Sequence, residues 1–289
     1  MKVLLSLSLA MSAFSASAAD LSKLEASAAR GDAESQFLLG RDYFRGEGGV
    51  GKDNRRAAEW FRKAAEQGSG KAQHNLGYMF SEGLGVKRDD AEAVRWLRKA
   101  AEQGFALSEF TYAEMVVAGR GTKRDSVEAA KWLRKAAEQG FAPAEVRLGS
   151  LYFFGADDFK KNYAEAAVWL GKAAEGGNGF AQNALGVICS SGLAGKRDVA
   201  KAAEWYQKAA WQGDAKGQSN LGRLYSEGEG VKLDLTKAYA WLTLSSRQGE
   251  ITAQICLDGF EKSLTSDQLA EGERLAKEYA SQIKPAKGK

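Results

Sequence analysis

Apolar residues recur three and four positions apart along nearly the whole chain, with small residues beside them at fixed places. Between Ala72 and Glu82, Leu76, Gly77 and Phe80 fall at i, i+1 and i+4, which is one face of an α-helix. Gly77 carries no side chain on that face, so a partner helix can approach closely. The next segment, "GLGVKRD", supplies Gly83 and Gly85 for a turn with positive φ. Asp89 then stands where a short side chain can accept from the free N–H groups of a new first turn. Ala93, Trp96 and Ala100 form the stripe of a second helix that stops at Gly104. Asp53, Asp125, Asn162, Asp198 and Asp234 hold the same cap position. Glu92, Glu128 and Glu165 lie three residues after their caps, so reciprocal capping boxes are expected there.

This helix–turn–helix pattern returns with a fixed step. Tryptophans at 60, 96, 132, 169, 205 and 241 are separated by 36, 36, 37, 36 and 36 residues, and only Trp211 falls outside the series. Gly40, Gly77, Ala113, Gly149, Gly186 and Gly222 keep the same step, each preceded by Leu or, once, by Tyr112. "WLRKAAEQGFA" occurs letter for letter at Trp96 to Ala106 and again at Trp132 to Ala142. A single helix pair of this size cannot bury both of its apolar faces, so successive pairs must stack, and equal junctions select equal residues. The tryptophans are expected in those junctions. A base- or sugar-stacking platform would instead need exposed indoles.

The set Ala72, Leu76, Gly77, Phe80, Gly83, Gly85, Val86, Asp89, Ala93, Trp96, Lys99, Ala100, Ala101, Gln103 and Gly104 closely resembles the Sel1-like repeat, a relative of the tetratricopeptide repeat. The resemblance implies an all-α, right-handed α-solenoid of antiparallel helix pairs of about 36 residues with terminal capping helices. The expected boundaries are a signal peptide at 1–19, an N-terminal capping helix at 20–32, and six repeats at 33–250. A partial seventh repeat and a C-terminal capping helix occupy 251–283, and a basic tail 284–289. Thr265 and Gln268 form a capping box for that last helix, with Leu264 and Leu269 as its hydrophobic staple. Three turns depart from the pattern: "GEGGVG" near Gly49, "GADDFKKN" from Gly155 to Asn162, and Ala194 within "GLAGKRD".

The start of the chain narrows the setting. Lys2, an apolar run from Val3 to Ala10, and small Ser17 and Ala19 before Asp20 read as a secretory leader. The mature protein is therefore expected in a periplasm or secreted. Without Lys2 the formal charge falls from +4 to +3, a near balance that gives no reason to invoke nucleic acid. Cys189 and Cys256 lie in first helices two repeat steps apart, too far for the 4.4 to 6.8 Å between Cα atoms that a disulfide allows; buried free thiols are expected. Some secreted relatives carry a disulfide in every repeat and have been credited with penicillin hydrolysis. This chain lacks that cysteine pattern.

Catalytic chemistry finds little support. His74 is the sole histidine, which excludes His-rich metal sites. "GEGGVG", Gly46 to Gly51, matches G-x-G-x-x-G but joins two helices and follows no strand, so it fails the dinucleotide context. Ser281 and Lys284 match S-x-x-K without a supporting motif. No enzyme activity, metal or cofactor is expected.

Binding is the remaining role. By analogy with tetratricopeptide arrays, the first helices line a concave groove. The groove positions are Phe37, Arg41, Phe44 and Arg45; His74, Tyr78, Ser81 and Glu82; Phe110, Glu114 and Val117; Val146, Ser150, Phe153 and Phe154. Asn183, Val187 and Ser190, then Ser219, Arg223 and Glu227, continue the series. A one-residue shift of helix phase would instead place Phe44, Phe110 and Phe153 in the core. Concentration of aromatics in the first four repeats points to a protein partner there. A second surface is a basic edge of turn residues: Lys52, Lys87 with Arg88, Lys123 with Arg124, Lys160 with Lys161, Lys196 with Arg197, and Lys232. It is read as a solvated edge, with an acidic partner or phospholipid head groups as the alternative. The resemblance implies a scaffold, monomeric when free and without stable membrane insertion. An immunity protein that blocks a phospholipase-type antibacterial effector and an envelope signalling or assembly adaptor are the options; a β-lactam-binding or hydrolysing enzyme stands as the outside alternative.

Overall fold

The structure, a computed structural model, describes residues 18–260 and 262–283. The leader and the basic tail lie outside the described residues, except that helix α1 begins at Ala18, just before the expected cleavage point. All regular structure among the described residues is helical apart from one isolated bridge between Ala156 and Phe159. The helices are α1 (Ala18–Ala29), α2 (Ala33–Arg45), α3 (Asn54–Glu66), α4 (Gly70–Glu82), α5 (Asp90–Glu102), α6 (Ala106–Ala118), α7 (Ser126–Glu138), α8 (Ala142–Phe154), α9 (Tyr163–Glu175), α10 (Gly179–Ser191), α11 (Val199–Trp211), α12 (Ala215–Glu227), α13 (Leu235–Ser246), α14 (Ile251–Phe260) and α15 (Ser266–Gln282). The chain divides into two compact units, Met1–Ala144 with Ala156–Phe159, and Glu145–Gly155 with Lys160–Lys289. In the first, α1 covers α2, and the pairs α2/α3, α4/α5 and α6/α7 stack in order. In the second, α9 leads into α10/α11 and α12/α13, and α13 is covered by α14 and α15.

Each second helix starts on its expected cap. Asp53, Asp89, Asp125, Asn162, Asp198 and Asp234 all accept backbone N–H groups of the following turn. The capping boxes expected at Glu92, Glu128 and Glu165 do not form; the box is present at Thr265 and Gln268. The reason lies in the cap residue's own N–H. It already donates to the first helix of the pair, as Asp89 does to the Phe80 carbonyl at 3.0 Å and Asp234 to that of Tyr225 at 3.0 Å. The glutamates are thereby released for other donors. Glu92 and Glu165 each accept the indole N–H of Trp96 and Trp169 at 3.1 Å, and Glu128 accepts the Tyr112 hydroxyl at 2.9 Å.

The close approach inside a pair is made by the residue after each tryptophan. A Cβ on Gly77 would lie 2.7 Å from Leu97 Cγ, on Gly149 2.7 Å from Leu170 Cγ, and on Gly222 2.8 Å from Leu242 Cγ. Phe61, Leu97, Leu133, Leu170, Tyr206 and Leu242 are accordingly almost wholly buried. The tryptophans sit one helical step, about 100°, round from that contact. Trp96, Trp169 and Trp241 are buried, whereas Trp60, Trp132 and Trp205 are half-buried. In five repeats the lysine three residues on lies over the indole, at 4.0 Å for Lys63, 4.7 Å for Lys99, 3.9 Å for Lys135, 4.4 Å for Lys172 and 4.2 Å for Lys208. Such cation–π contacts add roughly 0.5–1 kcal/mol each at exposed sites.

Successive pairs are tied by glutamines and by turn glycines. Gln103 at the end of α5 donates to the Gln73 side chain at 2.8 Å, and Gln73 donates to the Ala65 carbonyl of α3 at 3.1 Å. Gln248, Gln218 and Ala210 repeat this relay in the second unit. The second glycine of each regular turn rests on the preceding second helix: a Cβ on Gly85, Gly121 or Gly230 would strike the backbone of Asn54, Asp90 or Val199. In "GADDFKKN" that glycine is absent. There the Ser126 N–H at the start of α7 donates to Asp158 Oδ2 at 2.7 Å, so a carboxylate replaces the missing backbone contact.

Candidate functional site

In the first unit, the expected groove residues on α2, α4 and α6 have unequal surroundings. Phe37 is half-buried, its ring 5.9 Å from that of Phe61 and beneath the Lys71 ammonium at 5.6 Å. Arg41 holds the buried Asp42 carboxylate at 2.9 Å, and Arg45 reaches Glu47 at 3.5 Å. Phe44, Tyr78, Glu114 and Val117 are half-buried, Glu82 is exposed, and Ser81 is buried with its hydroxyl donating to the Tyr78 carbonyl at 2.9 Å. Phe110 departs from the expectation: it is only 8% exposed and meets Phe141 edge-on at 5.5 Å, so it is a packing residue. Its partner ring precedes α8, so Phe110 packs between repeats, the core placement that the one-residue phase shift gives.

His74 is drawn inward as well. Its Nδ1 lies 3.0 Å from the hydroxyl of the buried Ser108, and burial pulls its pKa down to about 4. The ring is neutral at pH 7, which removes it as a cationic groove contact.

In the second unit, Val146 and Phe153 pack against the α9/α10 core formed by Ala166, Leu170 and Ile188. Beyond them Phe154 stands 58% exposed. The ring of Phe153 lies edge-on to Phe154 at 4.9 Å and to Tyr163 at 5.7 Å, and Phe154 faces Phe180 at 6.4 Å. These four rings form an apolar surface from α8, α9 and α10. Tyr163 and Phe180 were absent from the expected set. Phe180 could have been found by register, since equivalent positions hold Glu34, Lys71, Leu107, Pro143 and Lys216. Farther on, the polar positions satisfy one another: Asn220 donates to Asn183 at 2.9 Å, Ser190 lies 3.1 Å from the Tyr206 hydroxyl, and Arg223 pairs with Glu227 at 2.6 Å. Val187 is half-buried against the α11–α13 core, Ser150 donates to the Val146 carbonyl, and Ser219 is buried.

The basic edge is partly neutralised. Asp90 receives both Arg88 (3.0 Å) and, from the next turn, Arg120 (2.8 Å), and these guanidiniums hold its pKa at about 2, Arg120 contributing most. Arg124 lies 3.7 Å from Asp157, and Arg197 pairs with Glu229 of the following turn at 2.6 Å. Lys52, Lys87, Lys123, Lys160, Lys161, Lys196 and Lys232 remain exposed.

Cys189 and Cys256 are free and half-buried, not fully buried as expected. Gly46 to Gly51 connects α2 to α3, and the Ser281 hydroxyl donates to the Glu278 carbonyl. Among the described residues no three His, Cys, Asp or Glu side chains gather as metal ligands, and no helix is long and apolar enough to cross a membrane.

The model of the Sel1 repeat matches residues 33–69, 70–105, 107–141, 142–178, 179–214 and 215–250. No curated protein matches. Among solved structures, a Sel1 repeat protein from Oxalobacter formigenes is 35% identical over 82% of this chain and 68% of its own, with a TM-score of 0.62. The protein c5321, a protective antigen of uropathogenic Escherichia coli strains, is 30% identical over 91% of this chain and 72% of its own, with a TM-score of 0.42. An immunity protein from Pseudomonas aeruginosa, Pa5087, is 23% identical over 74% and 82%, with a TM-score of 0.38.

Proposed function

The chain belongs to the Sel1 repeat family, and from that premise we propose that it is a non-enzymatic scaffold that holds another protein against its first helices. The carrying observation is the four-ring surface of Phe153, Phe154, Tyr163 and Phe180, with Phe154 more than half exposed. Stacking accounts for the buried rings of the repeats, but the contacts of Phe154 with Phe153 and Phe180 leave most of its surface uncovered, at a position held elsewhere by Arg45, Glu82, Ala118, Ser191 and Glu227. Clustered exposed aromatics are the usual anchors of protein interfaces. Phe44 and Tyr78 are the corresponding contacts proposed for the first unit; Phe110 is not among them.

A periplasmic encounter is part of this proposal, supported by the leader-like sequence before Asp20, and the partner proposed is an envelope protein or a delivered effector. Immunity against an antibacterial effector is the narrower form of this reading and follows from the family resemblance. The test is capture from a periplasmic extract, identification by mass spectrometry, and titration of the purified partner. Phe154→Asp is expected to weaken binding at least about tenfold, the scale of one interface anchor, while leaving the helical spectrum unchanged. Full affinity of a folded Phe154→Asp protein would remove this surface as the site. Rescue of cells expressing the captured effector in the periplasm separates immunity from an adaptor role, and turnover of a β-lactam by the purified protein would replace the scaffold reading.

A further inference from the structure

Three bulky positions of the repeat are small around α10, and the losses fall on one place. Tyr43, Phe80, Tyr152 and Tyr225 occupy a position held there by Cys189. Arg62, Arg98 and Arg134 correspond to Gly171 of α9, and Val86 and Val231 to Gly195 of the turn after α10. Between the first and second repeats two of these side chains meet: the Arg62 guanidinium lies over the Phe80 ring at 5.4 Å. A cation three residues after the cap also covers this ring position, Arg56 over Tyr43 at 5.4 Å and Lys237 over Tyr225 at 5.6 Å. Lys201 holds that place beside α10, but the ring is gone. What remains is a cavity of about 380 Å³ within the second unit, floored by Leu185 and Ile188, walled by Trp205, and bordered by Lys196 and Lys201.

We propose that this cavity binds a small planar aromatic molecule bearing one negative charge. The volume lies at the lower end of small-ligand sites. A flat ring would take the space that tyrosine or phenylalanine fills in four of the other repeats, the third having Val116 there, and would lie beneath the Lys201 ammonium as Tyr225 lies beneath Lys237. The anionic group would meet Lys196 or Lys201 at the mouth. Asp198 also lines the cavity and turns its Oδ1 to the Lys201 backbone N–H at 2.9 Å, so the two ammoniums of Lys196 and Lys201 outweigh one carboxylate there, while Arg197 pairs with Glu229. This inference is independent of the partner surface on α8 to α10, since its ligand is a small molecule.

The probe is 4-hydroxyphenylacetate, a tyrosine side chain with a carboxylate, titrated into the full chain by saturation-transfer NMR and calorimetry. Saturable binding at millimolar concentration or tighter is expected, with 4-methylphenol, which lacks the charge, at least about tenfold weaker. Gly171→Arg restores the residue found in three other repeats, and a Cβ there meets nothing within 4 Å; it should fold and lose binding. Lys201→Gln changes an exposed side chain, is expected to lower affinity about fivefold or more, and keeps the test open if the arginine disturbs the helix. In a Cys256→Ser background, bound probe should also slow alkylation of Cys189. Absence of saturable binding, or equal binding by Gly171→Arg and the parent chain, would overturn the assignment.

Discussion

The indole of Trp241 lies nearly flat against the phenol of Tyr279, with ring centroids 4.6 Å apart and planes 25° apart. In the other repeats a lysine three residues on covers the tryptophan; after Trp241 that place holds Leu244. The next outward position, glutamate at 66, 102, 138 and 175, is Trp211 in the fifth repeat, and Trp211 meets Tyr279 at 5.2 Å. The fifth and sixth repeats thus contribute Trp211 and Trp241 to an aromatic face, and α15 covers it with Tyr279. A Cβ on Gly272 of α15 would lie 2.6 Å from the Tyr239 ring, so the helix is seated closely.

Removing that cover should be costly. Tyr279→Ala is expected to lower stability to urea by about 2 kcal/mol, the scale for truncating a half-buried aromatic. Tryptophan emission should shift to the red as Trp211 and Trp241 become wet, whereas Tyr279→Phe should leave both readouts near the parent's. Unchanged emission in Tyr279→Ala would show that α15 does not protect these indoles.

Two turn glycines separate backbone freedom from close contact. Gly104 and Gly121 both have positive φ, +83° and +69°, but a Cβ on Gly104 points into open space whereas one on Gly121 would strike the Asp90 carbonyl. Gly104→Ala should cost about 1 kcal/mol from conformation alone. Gly121→Ala should cost at least about twice that, and equal denaturation midpoints would contradict the inter-repeat contact.

Asp158 offers a complementary test. Its carboxylate accepts the Ser126 N–H, and hydrogen bonding by Ser126, side chain first and backbone second, holds its pKa below the usual range. Asp158→Ala leaves that donor to water and should lower Tm by a few degrees. Asp158→Asn should retain most of the stability, because an amide oxygen can still accept.

Acid should weaken the fold in two separate steps. His74 is kept neutral by burial, with a pKa of about 4 against about 6.5 in an unfolded chain. The unfolded chain takes this proton first, so stability is full above pH 6.5 and falls as pH drops toward 4, by roughly 2 to 3 kcal/mol. Asp90 behaves with the opposite charge: held ionised to about pH 2 by Arg120 and Arg88, it contributes stability above pH 3.8 that disappears between 3.8 and 2. His74→Gln should flatten the upper step, and Asp90→Asn should reduce the lower one, to which Asp158 also contributes, as read by urea titrations across the range.

Much of this architecture could be read from the chain because stacking imposes identity. The tryptophan step located the second helices, and the Asp and Asn caps all take their places. What escaped was rotation about each helix axis. Trp96 was the visible landmark, yet Leu97, one residue on, fills the space left by Gly77. The same 100° ambiguity put buried Phe110 among surface residues and overlooked Phe180. Capping boxes were expected from spacing that Glu92 satisfies, but spacing does not reveal that the Asp89 N–H already has the Phe80 carbonyl.

The turn of the third repeat reaches back to the second with a guanidinium, Arg120 on Asp90, and the turn of the sixth reaches back to the fifth with a carboxylate, Glu229 on Arg197. Each bond on an open edge adds little stability, yet its sign discriminates between neighbours. Placed behind the fifth repeat, Arg120 would meet Arg197 with Val199 where the acid should be; placed behind the second, Glu229 would find Arg88 in the place of Arg197 but with the Asp90 carboxylate already on it. Near-identical modules are prone to docking out of sequence while they fold. In these two turns the opposite signs favour the native neighbour over the other, a small bias toward the correct order of modules that are otherwise nearly interchangeable.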